Sequence, residues 1–126
     1  MTILGLGLDA TEISRIQYML DRWGARFRQR VYTPGEIAYC DRRRNAASSF
    51  AARFAAKEAG MKALGTGRAL GVLWRDVEVV RHFGPPQLHF HGDAARRFAA
   101  MGGVRTLLTI THTRDLAFAQ VMLIGS

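Results

Sequence analysis

The hydrophobic pattern changes period repeatedly along the chain, and each change marks an element. Thr2 to Leu8 is an apolar run carrying Gly5 and Gly7, which predicts a first strand that ends at Asp9. Ile13, Ile16, Leu20 and Trp23 then fall at helical spacing, and Gly24 weakens or breaks that helix. Thr33-Pro34-Gly35-Glu36 reads as a helix start: a Thr cap, Pro in the first turn and Glu three residues after the cap. The helix it opens runs to about Cys40. Asp41 to Ala47, with Arg42-Arg43-Arg44, reads as an exposed loop. Ser48 or Ser49 is expected to cap the strongest helix, Phe50 to Leu64, which Gly65 stops. Glycines at 65, 67 and 71 punctuate the next loop.

Asp76 to Arg81 is β-branched and predicts a strand, and Gly84-Pro85-Pro86 a turn. Gln87 to His91 alternates, with Leu88 and Phe90 on one face and His89 and His91 on the other. Asp93 is expected to cap a helix through Met101. Val104 to His112 and Leu116 to Ile124 close the chain as two strands around a turn at Thr113 to Asp115. Short turns between the later strands require antiparallel pairing. The order predicts an α+β fold, a single domain over residues 1–126 with helices packed on a mostly antiparallel sheet.

Composition adds constraints on partners. No apolar stretch approaches the roughly 20 residues that span a bilayer, so no membrane segment is expected. The N-terminus lacks a basic region and reads as a strand, not a signal peptide. Cys40 is the single cysteine, which excludes an internal disulfide and agrees with a cytoplasmic location. The formal charge is +8, from 18 basic and 10 acidic residues. That charge implies nucleic acid, a phosphate-rich small molecule or an acidic protein as partner. Every basic residue except Lys57 and Lys62 is Arg, and two clustered ammonium groups in such a chain mark a candidate site.

Local patterns at the candidate residues admit two readings each. Glu58 follows Phe54 by four residues and precedes Met61 by three, so it lies on the stripe the helix should bury. Its structural role would be a salt bridge to Lys62, one turn on. Asp9 would be a helix N-cap, with Glu12 completing a capping box. Two such carboxylates are also what magnesium asks of a protein. Lys62 and the Gly65-Thr66-Gly67 loop would then face a phosphate, or form an ordinary helix end. Arg15, Met19, Arg22 and Arg26 fall within a narrow arc if their helix is continuous, either a solvated face or a docking stripe for an acidic helix. His82, His89 and His91 lack partners at zinc spacing.

The order of these segments resembles the holo-acyl-carrier-protein synthases, short members of the 4'-phosphopantetheinyl transferase superfamily. Gly5 to Ile13 resembles the family's G-[IV]-D-[IL]-x-x-[IV] opening. Phe50 to Ala59, continued by Lys62 to Gly67, is similar to its F-x-A-x-R-F-A-A-K-E-A…K-A-x-G-T-G block. Trp74 to Val79, Thr109 to Thr113, and Ala117, Ala119 and Val121 match its remaining strands. Departures are Gly84-Pro85-Pro86 for the usual G-K-P, Thr109 for the usual Ser, and Gly60 for a usual Phe.

The resemblance implies transfer of the 4'-phosphopantetheine arm of coenzyme A to a serine of apo acyl carrier protein in fatty acid biosynthesis, releasing adenosine 3',5'-bisphosphate. It implies that Asp9 and Glu58 bind magnesium and that Lys62 completes the catalytic set by neutralising the pyrophosphate. A metal-linked water or Glu58 would deprotonate the serine. Arg53, Lys62, Gly65, Gly67, Thr111 and His112 are implied to line the coenzyme A site, and Arg15, Met19, Arg22 and Arg26 to meet the carrier protein. A homotrimer with sites between subunits is expected as well. Against these stands a nucleic-acid-binding module, favoured by Arg42 to Arg44 and by Arg96-Arg97 but lacking any recognition-helix or RNA-binding signature. A carrier-binding scaffold without catalysis is opposed by the presence of Asp9, Glu58 and Lys62.

Overall fold

A computed structural model describes residues 1–67 and 70–126; residues 68 and 69, inside the expected glycine loop, lie outside the described residues. The elements are β1 (Thr2–Glu12), α1 (Ile13–Trp23), α2 (Ala25–Val31), α3 (Pro34–Asp41), α4 (Ala46–Leu64), a 3-10 turn (Trp74–Asp76), β2 (Val77–Val80), β3 (Gln87–Phe90), α5 (Gly92–Ala100), β4 (Gly103–His112) and β5 (Leu116–Gly125). The strands form two antiparallel sheets, a three-stranded one in the order β1-β5-β4 and a β2-β3 hairpin. The class is α+β, as expected.

α4 is the spine of the molecule. It is buried almost all round, packing on β1 and β5 with one side and on β2 with another. Its small residues make this possible. A side chain at Gly5 or Gly7 of β1 would collide with the main-chain carbonyls of Ala63 and Ala59, so strand and helix touch through their backbones. The core beneath holds Val77, Leu88, Ala119, Val121 and Leu123. A second cluster joins Ile16, Phe27, Val31, Tyr32 and Phe50 under α1 and α2.

Several expected boundaries shift. β1 runs to Glu12 because its pairing with β5 continues to Glu12↔Leu116. Asp9 is therefore inside a strand and does not cap α1; Glu12 holds the cap position without a side-chain capping bond. α4 begins earlier than expected, because Asn45 caps it by accepting from the Ser48 N–H at 3.2 Å. Asp93 lies in the first turn of α5 behind a His91 cap. The break at Gly24 opens a further helix, α2, so α1 does not continue to Arg26. The Thr33–Glu36 capping box forms as expected, with Gly65 as the left-handed cap of α4.

Candidate functional site

β1 and α4 run past each other in opposite senses, Gly5 at Ala63 and Gly7 at Ala59. Side chains alternate along β1, so Asp9 points to the same side as these glycines, toward the α4 turn that carries Glu58. There Lys62 Nζ pairs with Asp9 Oδ1 at 3.0 Å and donates to the Leu8 carbonyl at 3.0 Å. Thr11 Oγ1 donates to the other Asp9 oxygen at 2.9 Å. Asp9 and Lys62 are thus brought together from positions far apart in sequence; Glu58, half-buried, stands one turn before Lys62 on α4. The Gly65-Thr66-Gly67 loop leaves the end of the same helix with positive φ at both glycines. Asp9 meets the Lys62 ammonium and the Thr11 hydroxyl, and its carboxylate is the hard oxygen ligand type that magnesium takes. Among the described residues, no three His, Cys, Asp or Glu converge as a closed metal cage.

Lys57, the other lysine, belongs to a different place. Its ammonium is fully buried against Glu36 Oε1 at 2.6 Å and donates to the carbonyls of Val77 at 2.8 Å and Trp74 at 3.2 Å. Burial holds its pKa below the usual lysine value, against the pull of Glu36. Glu36 also closes the α3 capping box, accepting from the Thr33 N–H at 2.9 Å, and accepts from the Val79 N–H at 2.9 Å. Lys57 therefore ties α3, α4 and the start of β2 together and does not face Asp9.

Arg53 and His112 meet in a second place, a cavity of about 490 Å³ also lined by Tyr39, Arg42, Arg43, Arg44 and Arg81. The Arg53 guanidinium stacks on the Tyr39 ring at 3.9 Å. It reaches Ser49 Oγ at 3.5 Å, while its buried Nε has no hydrogen-bond partner. Five arginines around one concavity make a strong anion site. The run Arg42 to Arg44, expected as a plain exposed loop, is part of it. The signal was present in the run itself, but only the fold sets it opposite Arg81 and His112. Thr111 pairs with Phe118, which pairs with Ala10, so it faces the opposite side of the sheet from His112.

A groove of about 470 Å³ on the other flank is lined by Arg15, Met19, Trp23, Arg26, Phe27, Arg30, Phe54 and Trp74. Arg15, Met19 and Arg26 share it despite the helix break, because α2 folds back beside α1. Arg22 lies over the Trp23 ring at 4.5 Å instead. Trp23, Phe54 and Trp74 escaped the sequence reading as members of this surface, and Phe54 stacks on Trp74 at 4.9 Å.

The comparisons with known proteins agree with this architecture. A model described as the 4'-phosphopantetheinyl transferase superfamily matches residues 5–119. The chain is 51% identical over 122 residues to a holo-[acyl-carrier-protein] synthase of Koribacter versatilis, covering 96% of this chain and 98% of the relative. The crystal structure of that enzyme from Neisseria meningitidis superposes with a TM-score of 0.89 at 28% identity, over 98% of this chain and 100% of that one. The Bacillus anthracis structure, described as a complex with CoA (3',5'-ADP), gives 0.79 at 34% identity and covers 98% of both chains.

Proposed function

The chain belongs to the 4'-phosphopantetheinyl transferase superfamily as a holo-[acyl-carrier-protein] synthase, and from that premise we propose that it transfers 4'-phosphopantetheine from coenzyme A to a serine of apo acyl carrier protein. The serine Oγ forms a bond to the β-phosphorus of the pyrophosphate. The bond from that phosphorus to the bridging oxygen breaks, and adenosine 3',5'-bisphosphate leaves. The observation that carries the reading is Lys62 held on Asp9, one helical turn from Glu58, where strand and helix meet through their backbones.

Asp9 and Glu58 would hold magnesium, with phosphate and water oxygens completing its shell. When bound, magnesium supplies charge neutralisation at the pyrophosphate. Lys62, half exposed, neutralises the same phosphates, and the backbone N–H of Gly67 approaches them. Glu58 is this chain's own candidate to take the serine proton. The arginine cavity around Arg53 and His112 suits the phosphate-rich nucleotide end of coenzyme A. Its concave shape favours a small molecule over a nucleic acid duplex.

Arg53 and Lys62 are nine residues apart on α4, about 14 Å along its axis. They also point to different sides, so one chain does not gather the full expected set around one point. A homotrimer with sites between subunits resolves this, and the outer face of the three-stranded sheet supports it. Leu6, Leu8 and Leu107 are 56%, 61% and 45% exposed there. Their strands align in the row Leu6–Met122–Leu107, and Thr111 lies on this same face. Arg15, Met19 and Arg26, with Arg22 on Trp23, would receive the acidic helix of the carrier protein. No helix is long and apolar enough to cross a membrane, and a cytoplasmic role in fatty acid biosynthesis fits the reading.

The test is incubation with coenzyme A, magnesium and apo acyl carrier protein. The expected result is a phosphopantetheine mass shift on the carrier, lost in Asp9→Ala and Glu58→Ala while both variants stay folded. No shift with the wild-type chain refutes the transfer, and near-normal activity in either variant refutes the metal pair.

A further inference from the structure

Helix α5 grips both ends of the glycine loop that follows α4. At the near end, Arg97 Nε donates to the carbonyl of Leu64, the last residue of α4, at 3.0 Å. A Cβ built at Gly65 would lie 3.8 Å from Arg97 Nη2, so the guanidinium runs alongside the first loop residue. At the far end, Gly71 seats against the Asp93 carboxylate, where any side chain on the glycine would collide. Arg96 Nε donates to that carboxylate at 2.8 Å. Arg97 and Asp93 are one helical turn apart. α5 is itself anchored in the core through Ala94 and through Phe98 on Phe90 at 5.1 Å.

The Arg97 bond has a clear physical reason. A helix leaves its last carbonyls without intrahelical partners. In α4 the Lys62 and Met61 carbonyls accept from the N–H groups of Gly65 and Thr66. Leu64 lies beyond the reach of that cap, and the arginine serves it. A cation is also the favourable partner for the negative end of a helix. Gly65 and Gly67 carry no side chains, so the backbone between them is held by the buried Thr66 hydroxyl, which donates to the Gly67 carbonyl at 3.0 Å, and at its start by Arg97.

We propose that Arg97 is a positioning residue for coenzyme A: it fixes the departure of the Gly65–Gly67 backbone from α4, and so the Gly67 N–H that receives the substrate's phosphates, those of Gly65 and Thr66 being taken up by the helix cap. The inference rests on the reading of that loop as a phosphate cradle. Arg97 acts through the loop, so its loss weakens coenzyme A binding and leaves the carrier-protein groove on α1 and α2 untouched.

Steady-state kinetics of the full chain test this, with coenzyme A and apo carrier protein varied in turn and coenzyme A binding measured separately by calorimetry. Arg97→Ala should raise the KM and Kd for coenzyme A roughly ten-fold, the size expected for one hydrogen bond from a charged donor. The KM for carrier protein should stay unchanged and kcat should hold within about two-fold. Arg97→Lys keeps a cation and a donor without the planar fork, and should show a smaller rise of about two- to three-fold. Should Arg97→Ala fail to fold, a raised coenzyme A Kd in folded Arg97→Lys supports the proposal and an unchanged one overturns it. Unchanged coenzyme A parameters in folded Arg97→Ala overturn it, as does an equal rise in both KM values. A wild-type chain that neither transfers nor binds coenzyme A removes the underlying reading and this proposal with it; an active wild type with an indifferent variant removes this proposal alone.

Discussion

Two lysines five residues apart on one helix do opposite work. Lys57 and its partner Glu36 have fully buried side chains, whereas the Lys62 side chain is half exposed over Asp9. Removing one member of a buried pair strands the other charge, so Lys57→Met should cost about 3–5 kcal/mol by chemical denaturation. Lys62→Met should leave the midpoint nearly unchanged, since exposed pairs contribute little, and instead depress transfer. Equal effects of the two on stability would contradict the division. The sequence grouped these lysines because it records spacing and no rotation. Five residues turn a helix by 140°, and which arc meets Glu36 depends on α3 and β2 packing. The capping box of Glu36 was legible because both its partners are local. Its bonds to Lys57 and Val79, 21 and 43 residues on, were not. Asp9 erred in the same way. Followed by Glu12 at capping-box spacing it predicted a cap, yet the strand ladder with β5 extends past it.

At the scale of elements, the long apolar-faced segments and the break at Gly24 were legible, and the short helix after that break was not. α4, β3, β4 and β5 fall close to their expected places. α2 was missed because Ala25 to Val31 is short and rich in Arg, so its burial of Phe27 and Val31 shows only once α1 has turned at Gly24. That turn makes the proposed docking surface a groove with aromatic walls where the sequence implied a straight stripe. Arg26 lies in the groove and Arg22 at Trp23 beside it. Arg26→Glu should therefore raise the KM for carrier protein at least ten-fold, by placing a carboxylate against an acidic partner, with little change in the KM for coenzyme A. Parallel substrate titrations measure both; equal effects would remove the groove from the docking surface.

The whole molecule has one feature that its separate elements lack. Two rows of residues on the outside of the three-stranded sheet leave leucines facing water, while the opposite side of the same sheet is sealed by α4. The class and strand directions were legible from alternation and turn chemistry. The division into two sheets was not, because it depends on β3 and β4 meeting edge to edge without a shared ladder. If the leucine face joins three copies, light scattering should give about three times the 14.0 kDa chain mass. Leu8→Glu, which places a charge in that face, should shift the mass toward the monomer and lower transfer with it. A fully active monomer would show that each chain completes its own site.

The contact of Gly7 with the Ala59 carbonyl bears on how this protein tolerates change. A main-chain contact has no rotamers to exchange and no methyl groups to trim. The separation of β1 from α4, and with it the alignment of Asp9 with the Glu58 turn, is consequently insulated from drift in the surrounding core. Side chains there can be exchanged without moving β1 against α4, provided positions 5 and 7 stay bare.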